Sequence, residues 1–453
     1  MKLWDFLRNK MLQNPNQIVC ESEAKMTYEE MVVFAEMFSK QLQGIKCCAI
    51  LCNCEMMAAL ALVSCFAAKV TAVPLSMRYG ELHCNKILDT ISPDAIITDF
   101  EGELQVTLIK DALYKEPSIH PALIMCTSGT TGKPKGAMLS EKNIITNVSD
   151  IADYFDIGSA DTILLARPLY HCAVLTGEFL TGLIKGVKIR FYSDSFNPPK
   201  MLELIKKYEI TAFCGTPTLL SMMARFNRVQ STTLKHICIS GECMSESVGL
   251  KISDSFNDCE IYHIYGLTEA CPRVSYLPPQ LFGKYPDCVG LPLKSVELKI
   301  LNTDGKICAK NEEGVLWVKG DNVMLGYYEE PEKTERVLSK DWLCTGDIAS
   351  INERGLLKIK GRNDQMIIKA GMNIYPTEIE ASMKIDSRVK EVLVFGFETK
   401  FGTQIGMKIA GEFSGVDEVK QLCLECLPTY QIPTSIELVS ELPRNGSGKI
   451  IRR

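Results

Sequence analysis

The sequence predicts an α/β protein built as a large N-terminal domain of mixed and parallel sheets with helices, followed by a small α+β C-terminal domain. Three observations point there. Short β runs alternate with helical stretches over the first two-thirds of the chain, which is how parallel sheets covered by helices read. The pattern turns β-rich near Gly290, predicting a subdomain over about 290–360. It changes again at the run Lys360-Gly-Arg-Asn-Asp364, after which a compact α+β pattern follows. At 453 residues the chain is also too long for a single hydrophobic core. The expected domains are therefore 1–363 and 364–453.

In chain order, residues 48–51 read as a strand, 56–68 as a helix, and 70–73 and 95–98 as strands. Further strands are expected at 123–126, 162–166, 187–191, 211–214 and 237–239, with helices at 202–207 and 245–256. The β-rich part begins with 296–301 and 315–319, bracketing a turn at Asn302-Thr-Asp-Gly305. The last unit reads as strand, helix (376–383), strand (391–397), strand (406–413), helix and strand. The longest apolar stretch, 56–68, falls short of the roughly 20 residues a membrane span requires, so it is expected to be a buried core helix.

Composition narrows the function. With 46% hydrophobic and 23% charged residues the chain is ordinary globular material, neither disordered nor collagen-like. Its net charge of −5 carries no nucleic-acid footprint. Asp5 stands where a signal peptide needs an apolar core, so a cytoplasmic protein is expected. The 19 cysteines are scattered and read as free thiols serving as small apolar residues. Cys423-Leu-Glu-Cys426 is the only CxxC, and with no second Cys or His pair nearby packing is favoured over zinc or redox use.

Residues 127–136 read TSGTTGKPKG directly after a β run. Glycines let a backbone turn its N–H groups inward, hydroxyls add donors and lysines add charge, so this loop suits polyphosphate. It is not a Walker loop, because Thr127 and Pro134 occupy positions where that motif needs Gly and Ser/Thr. A plain polar surface loop is the alternative.

TSGTTGKPKG resembles the signature loop of the adenylate-forming superfamily: acyl- and aryl-CoA synthetases, adenylation domains of nonribosomal peptide synthetases, and luciferases. Other motifs follow in that family's order. They are Tyr265-Gly-Leu-Thr-Glu269, Thr345-Gly-Asp347, Gly361-Arg362-Asn-Asp364 with Lys369 and Gly371, and Pro443-Arg-Asn-Gly-Ser-Gly-Lys449. The closest likeness in style is to acyl/aryl acid–thiol ligases. The first 120 or so positions carry only looser features such as Met26-Thr-Tyr28.

The resemblance implies that a carboxylate is joined to the α-phosphate of ATP with release of pyrophosphate, and that the acyl group then passes to a thiol. Thr127, Ser128, Gly129, Thr130, Thr131, Gly132, Lys133 and Lys135 would hold the phosphates. Glu269 would hold Mg²⁺, a cation that prefers oxygen ligands, and Thr268 would donate to the α-phosphate. Asp347 would accept the ribose hydroxyls, with Arg362 on the ribose–phosphate side. Tyr265, followed by Gly266, would stack on adenine against a wall of Gly241, Glu242 and Cys243, and His263 would accept from the adenine amine. Lys449 would bridge carboxylate and α-phosphate. Asp364 would be the hinge that later withdraws Lys449 and presents Lys369 and Gly371 to the thiol. Read in isolation, Glu269 and Lys449 are equally solvated charges, and Asp347 and Asp364 turn residues.

Pro168-Leu-Tyr-His171 resembles a segment that places its ring beside the substrate carboxylate, although His171 alone could be an ordinary core or surface His. Cys172-Ala-Val-Leu-Thr-Gly177 holds no acid before Glu178, and a substrate ammonium unpaired there would be costly. An uncharged aryl or short to medium aliphatic carboxylic acid is therefore expected rather than an α-amino acid, in a pocket of His171, Cys172, Ala173, Phe213, Gly241, Cys271 and Val274. The acceptor is CoA or the phosphopantetheine of a carrier protein, which would be a separate chain. A non-catalytic adenylate- or acyl-binding homologue, a stand-alone amino-acid adenylating enzyme and a luciferase-like oxygenase are the competing readings.

Overall fold

The computed structural model describes residues 2–21, 24–77, 81–128, 134–194, 196–227, 233–369, 372–399, 402–444 and 450–451. Gly129, Thr130, Thr131, Gly132, Lys133, Gly371 and Lys449 lie outside these.

Two large sheets share the main core. The nine-stranded sheet runs Leu291–Pro292, Arg273–Leu277, Glu260–Gly266, His236–Ile239, Ala212–Gly215, Thr162–Leu165, Lys188–Phe191, Ile18–Glu21, Ala24–Thr27. Its six central strands, from Glu260–Gly266 to Ile18–Glu21, are parallel and its edges antiparallel. The seven-stranded sheet runs Gly326–Tyr327, Pro134–Leu139, Leu123–Ser128, Thr71–Pro74, Cys47–Ile50, Ala95–Phe100, Glu103–Leu108, again with a parallel centre. Strands buried on both faces read as unbroken apolar runs, which is why these were visible in the sequence.

The helix Glu55–Ala68 fills the space beside the sheets and buries nearly every residue from Met56 to Phe66, as an all-apolar helix must. It packs on the helix Tyr28–Phe38. A reciprocal cap starts the latter: Thr27 Oγ1 accepts from the Glu30 amide at 3.2 Å and Glu30 Oε2 accepts from the Thr27 amide at 2.7 Å. Tyr28 is fully buried and donates its hydroxyl to the Val187 carbonyl. No described helix is long and apolar enough to cross a membrane.

The β-rich part is an antiparallel sheet of Val296–Leu301, Gly314–Gly320 and Trp342–Ile351, with Leu338–Ser339 and Leu357–Arg362 both paired to the last of these. The expected turn is present, with Asn302 Oδ1 accepting from the Asp304 and Lys306 amides at 3.0 Å each and Gly305 at φ +74°. After the short turn Asn363–Gln365 come a hairpin (Ile367–Lys369 with Met372–Ile374), the helix Pro376–Met383, and a three-stranded sheet of Val389–Thr399, Gly402–Gly411 and Ser435–Leu438 crossed by the helix Val416–Cys426. These last elements pack on one another through a hydrophobic cluster of their own, including Ile374, Ile379, Val394, Ile405 and Val419. Cys423 belongs to that cluster, and no group of His, Cys, Asp or Glu among the described residues could hold a metal ion as a threefold or larger set.

Most expected elements recur with shifted ends. The helix anticipated at 202–207 starts at Pro198, because Asn197 caps it (Oδ1 from the Lys200 amide, 3.0 Å) and Pro198 occupies its first turn. The strand expected ahead of the helix 376–383 is a two-stranded hairpin, and the helix Glu141–Tyr154 went unread.

Candidate active site

The strand Leu123–Ser128 is antiparallel to Pro134–Leu139, with Thr127 opposite Lys135 and Ser128 opposite Pro134. The glycine-rich segment therefore joins two strands of one hairpin, whereas a Walker loop joins a strand to a helix.

Beside it stands the Tyr265–Glu269 turn. At the end of Glu260–Gly266 the chain doubles back so tightly that a Cβ on Gly266 would lie 2.1 Å from the Pro272 carbonyl oxygen. That carbonyl accepts from the Leu267 amide at 2.8 Å. Thr268 and Glu269 then form a single turn of 3₁₀-helix, Thr268–Ala270. Two buried asparagines hold the turn from behind. Asn322 Nδ2 donates to the carbonyls of Ala270 (2.8 Å) and Arg273 (3.1 Å), and Asn147 Nδ2 donates to Arg273 (2.7 Å). Gly266→Ala is thus expected to displace the carboxylate and to cost about 3 kcal/mol, as overpacking against backbone does; a lowered thermal midpoint together with lost ATP binding checks it.

Glu269 Oε1 accepts from the Tyr327 hydroxyl at 2.8 Å, and the Lys135 ammonium lies 5.2 Å from the centre of the same ring. One tyrosine thereby touches both the phosphate hairpin and the carboxylate turn. Burial, reinforced by Glu269, pushes its phenol well above the usual range, so it stays protonated and donates.

A cluster forms around the buried Asp347 on the strand Trp342–Ile351. The Tyr265 hydroxyl donates to Asp347 Oδ2, while Arg362 Nη1 donates to Asp347 Oδ1 at 3.2 Å and to the Thr345 carbonyl at 2.8 Å. Each carboxylate oxygen has one protein donor and keeps a second lone pair for a ligand hydroxyl. Burial raises the Asp347 pKa, with Arg362 opposing. Asp364, exposed on the turn Asn363–Gln365, lies 3.6 Å from Arg362 Nε.

His171 precedes a short helix, Cys172–Val174, that runs into one turn of π-helix, Leu175–Leu180. Such turns often mark functional positions. Thr176 Oγ1 donates between the carbonyls of Cys172 and Cys271, 3.0 Å from each, and so joins this segment to the Glu269 turn. Burial pushes the Cys172 thiol up to about 12 and holds the Cys271 thiol well above its usual range, so neither is a thiolate. Cys172, Cys271 and Val274 share one core. Phe213 does not join them: it packs on the opposite face of the nine-stranded sheet with Leu164, Met201 and Leu220, and Cys214 takes the inward side. Ala173 is half-buried. Glu178 is engaged already, its side chain 1% exposed and 2.5 Å from Arg167 Nη2.

Gly241 (φ +94°), Glu242 and Cys243 form an exposed to half-buried turn, and Glu242 Oε2 accepts from Thr218 Oγ1 at 2.6 Å. His263 lies on the strand Glu260–Gly266. It is buried, with Nδ1 2.9 Å from the Pro286 carbonyl, and burial holds its pKa down to about 4. The neutral ring donates from Nδ1 to that carbonyl, which leaves Nε2 as its acceptor. Lys369 is half-buried on Ile367–Lys369. On either side of Lys449, Arg444 and Ile450 form an antiparallel bridge and the Ile451 amide donates to Pro443 at 2.8 Å.

Sequence reasoning missed Tyr327, Asn147, Asn322 and the buried Arg273, whose Nη2 donates to the Gly177 carbonyl at 2.8 Å. The only signal was Gly326-Tyr-Tyr328, which stands outside every motif quoted above. A nucleotide with magnesium suits the donors that are present. Magnesium is commonly held by one or two carboxylates plus substrate phosphates, and Glu269 offers one carboxylate beside the hairpin.

A glycine-rich hairpin, a carboxylate turn against it and an Asp–Arg–Tyr cluster make a nucleotide site of the adenylate-forming kind. The chain belongs to the family of AMP-binding enzymes, whose family model matches residues 7–328. It is 34% identical over 343 residues to the long-chain-fatty-acid–CoA ligase of Haemophilus influenzae, covering 73% of this chain and 61% of that one. Against the mitochondrial medium-chain acyl-CoA ligase of Homo sapiens identity is 34% over 344 residues, covering 73% and 56%. The chain thus spans less than two thirds of the length of these relatives. Among solved structures, O-succinylbenzoate coenzyme A synthetase of Bacillus subtilis in complex with ATP and magnesium ion matches with TM-score 0.86 and 27% identity, covering 99% of this chain and 98% of that one. A double mutant of the same enzyme bound with its product analogue matches with TM-score 0.70 and 26% identity, covering 99% and 97%.

Proposed function

We propose that the chain activates a carboxylic acid, aryl or short to medium acyl and not α-amino, as its acyl-adenylate, and passes the acyl group to the thiol of coenzyme A. The observation that carries this is the meeting of Glu269, Tyr327 and Lys135 at the phosphate hairpin. In the first half-reaction a carboxylate oxygen of the acid attacks the α-phosphorus of ATP, and the bond to pyrophosphate breaks. In the second, the thiol sulfur attacks the acyl carbon, AMP leaves, and the thiol proton is released. Phosphoryl-type transfer is mostly positioning and electrostatics, which suits a site made of fixed donors. Thr127, Ser128, the glycines and lysines of 129–135 and Thr268 would hold the phosphates. Asp347 and Arg362 would hold the ribose, and Tyr265 the base against Gly241–Cys243. Magnesium held at Glu269 would neutralise charge on the phosphates.

His171, Cys172, Ala173, Cys271 and Val274 would face the acid. The pairing of Glu178, the one acid of 172–180, with Arg167 through Oε1 supports a substrate without an ammonium. Lys449 would bridge the two reacting anions. We read 364–453 as the mobile domain and Asp364 as its hinge, with Lys369 and Gly371 serving the thiol. Two points support this: the separate hydrophobic cluster of the C-terminal elements, and the fall in likeness between two complexes of the Bacillus enzyme. Coenzyme A is favoured over a carrier protein because the named relatives are CoA ligases.

The test is pyrophosphate release with hydroxylamine trapping over a panel of acids, repeated with CoA and with a purified carrier protein. An acid-dependent signal and a CoA thioester are expected. ATP binding without turnover of any acid would instead favour a non-catalytic homologue, and thioester formed only on the carrier would reassign the acceptor.

A further inference from the structure

The segment 322–328 lies outside every motif discussed so far, yet it fastens the two halves of the phosphate site together. On one side it grips the carboxylate turn. Asn322 Nδ2 donates to the Ala270 carbonyl (2.8 Å), the Met324 amide to the Glu269 carbonyl (2.9 Å), and the Tyr327 hydroxyl to Glu269 Oε1 (2.8 Å). On the other side it grips the hairpin strand Pro134–Leu139. The Leu325 amide donates to Met138 (2.9 Å) and the Tyr328 amide to Gly136 (2.8 Å), with Tyr327 in register opposite Ala137. The Tyr327 amide is itself anchored on Thr334 Oγ1 at 2.9 Å.

We infer that Tyr327 is a positioning residue for the metal-binding carboxylate: its hydroxyl occupies Glu269 Oε1 so that Oε2 faces the phosphates, and its ring seats the Lys135 ammonium on the same side. This rests on the nucleotide site proposed above. A free glutamate on a short turn rotates about three side-chain bonds, so fixing one oxygen with a donor removes most of that freedom. The donor is held in place, because the Tyr327 backbone is anchored on Thr334 and paired with the hairpin strand. The Lys135 contact costs the tyrosine nothing, since the face of the ring and not its hydroxyl attracts the cation. Outer partners of this kind tune a metal site without touching the metal.

A purely structural tyrosine, 7% exposed in the core, would give a different result. ATP binding to the full chain, measured by calorimetry in EDTA and then in saturating magnesium, separates the two roles. In the unsubstituted protein magnesium should tighten ATP binding. Tyr327→Phe keeps the ring under Lys135 and loses only the donor, so ATP binding in EDTA should stay within about twofold while the gain from magnesium shrinks about tenfold or more, the usual scale for an outer-shell loss. Glu269→Gln should lose the same gain, and adding Tyr327→Phe to it should cost little further. Tyr327→Leu should weaken binding in EDTA as well, because Lys135 then loses its seat. The inference is overturned if Tyr327→Phe, folded by its thermal unfolding curve, keeps the full magnesium gain. It is also overturned if its effect simply multiplies with that of Glu269→Gln. If the unsubstituted protein binds no ATP, the nucleotide reading itself fails, and this inference fails with it.

Discussion

Asp347→Asn should lower kcat/KM for ATP in the adenylation reaction by about 10²-fold or more, since hydrogen bonds to a charged partner contribute about 1.5–3 kcal/mol each. The substitution conserves volume but reverses part of the chemistry. A carboxylate accepts at both oxygens; an amide accepts at one and donates at the other. The Tyr265 hydroxyl and Arg362 Nη1 already donate to separate oxygens of Asp347, so an asparagine leaves one of them facing another donor in a buried place. Ribose recognition should suffer in a way that can be read separately. If Asp347 accepts both hydroxyls, 2′-deoxy-ATP should be a poorer substrate for the unsubstituted protein, and Asp347→Asn should narrow that preference. A pH profile gives a third measure. Burial raises the Asp347 pKa above the ordinary carboxylate value, and only the ionised form accepts from both hydroxyls. ATP affinity should therefore fall as pH drops through that raised value, and the variant should lack this acid limb. A variant that keeps both kcat/KM and the pH profile would remove Asp347 from the ribose site.

How much of this was legible in the sequence depends on how local each feature is. The glycine-rich hairpin could be singled out because glycine, hydroxyl and lysine sit together in ten positions. The Tyr265–Glu269 turn was readable as a motif, but the reason for Gly266 was not: its neighbour is the Pro272 carbonyl, and that approach exists only after the chain doubles back. Asn147 and Asn322 work across more than 100 and about 50 positions, on carbonyls that no pattern marks. Phe213 shows the limit of a strand reading. Alternation says that it and Cys214 face opposite ways, yet which one faces the acid side depends on how the whole sheet is covered. The Nδ1 partner of His263 was equally out of reach of the sequence, being a loop carbonyl more than 20 positions away. Tyr327 is the most consequential omission, and it too owes its place to strand pairing made at long range.

The second large effect concerns Lys449. Lys449→Ala should slow adenylation by about 10²–10³-fold, the scale seen when one charge-stabilising donor is removed from a reacting centre. The same variant should convert synthetic acyl-adenylate plus CoA to thioester at nearly the unsubstituted rate. The asymmetry follows from the proposed hinge: a lysine delivered for the first half-reaction and withdrawn for the second cannot matter equally to both. The contacts that hold the C-terminal elements in place suit such a movement. Tyr375 donates to Glu313 Oε2 at 2.6 Å, Lys360 Nζ lies 3.0 Å from Glu378, and Lys251 and Arg225 reach the carbonyls of Ile385 (3.2 Å) and Ser387 (3.4 Å). Most are polar and partly exposed, and such pairs contribute roughly 0–1 kcal/mol each, which leaves the arrangement easily exchanged. The ends of the lysine loop are fixed more firmly, by the Arg444–Ile450 bridge and the Ile451–Pro443 hydrogen bond, so Lys449 would travel with its domain as a unit. Equal losses in both half-reactions would make Lys449 a structural residue. Loss of the second alone would reverse the order of events proposed for the hinge.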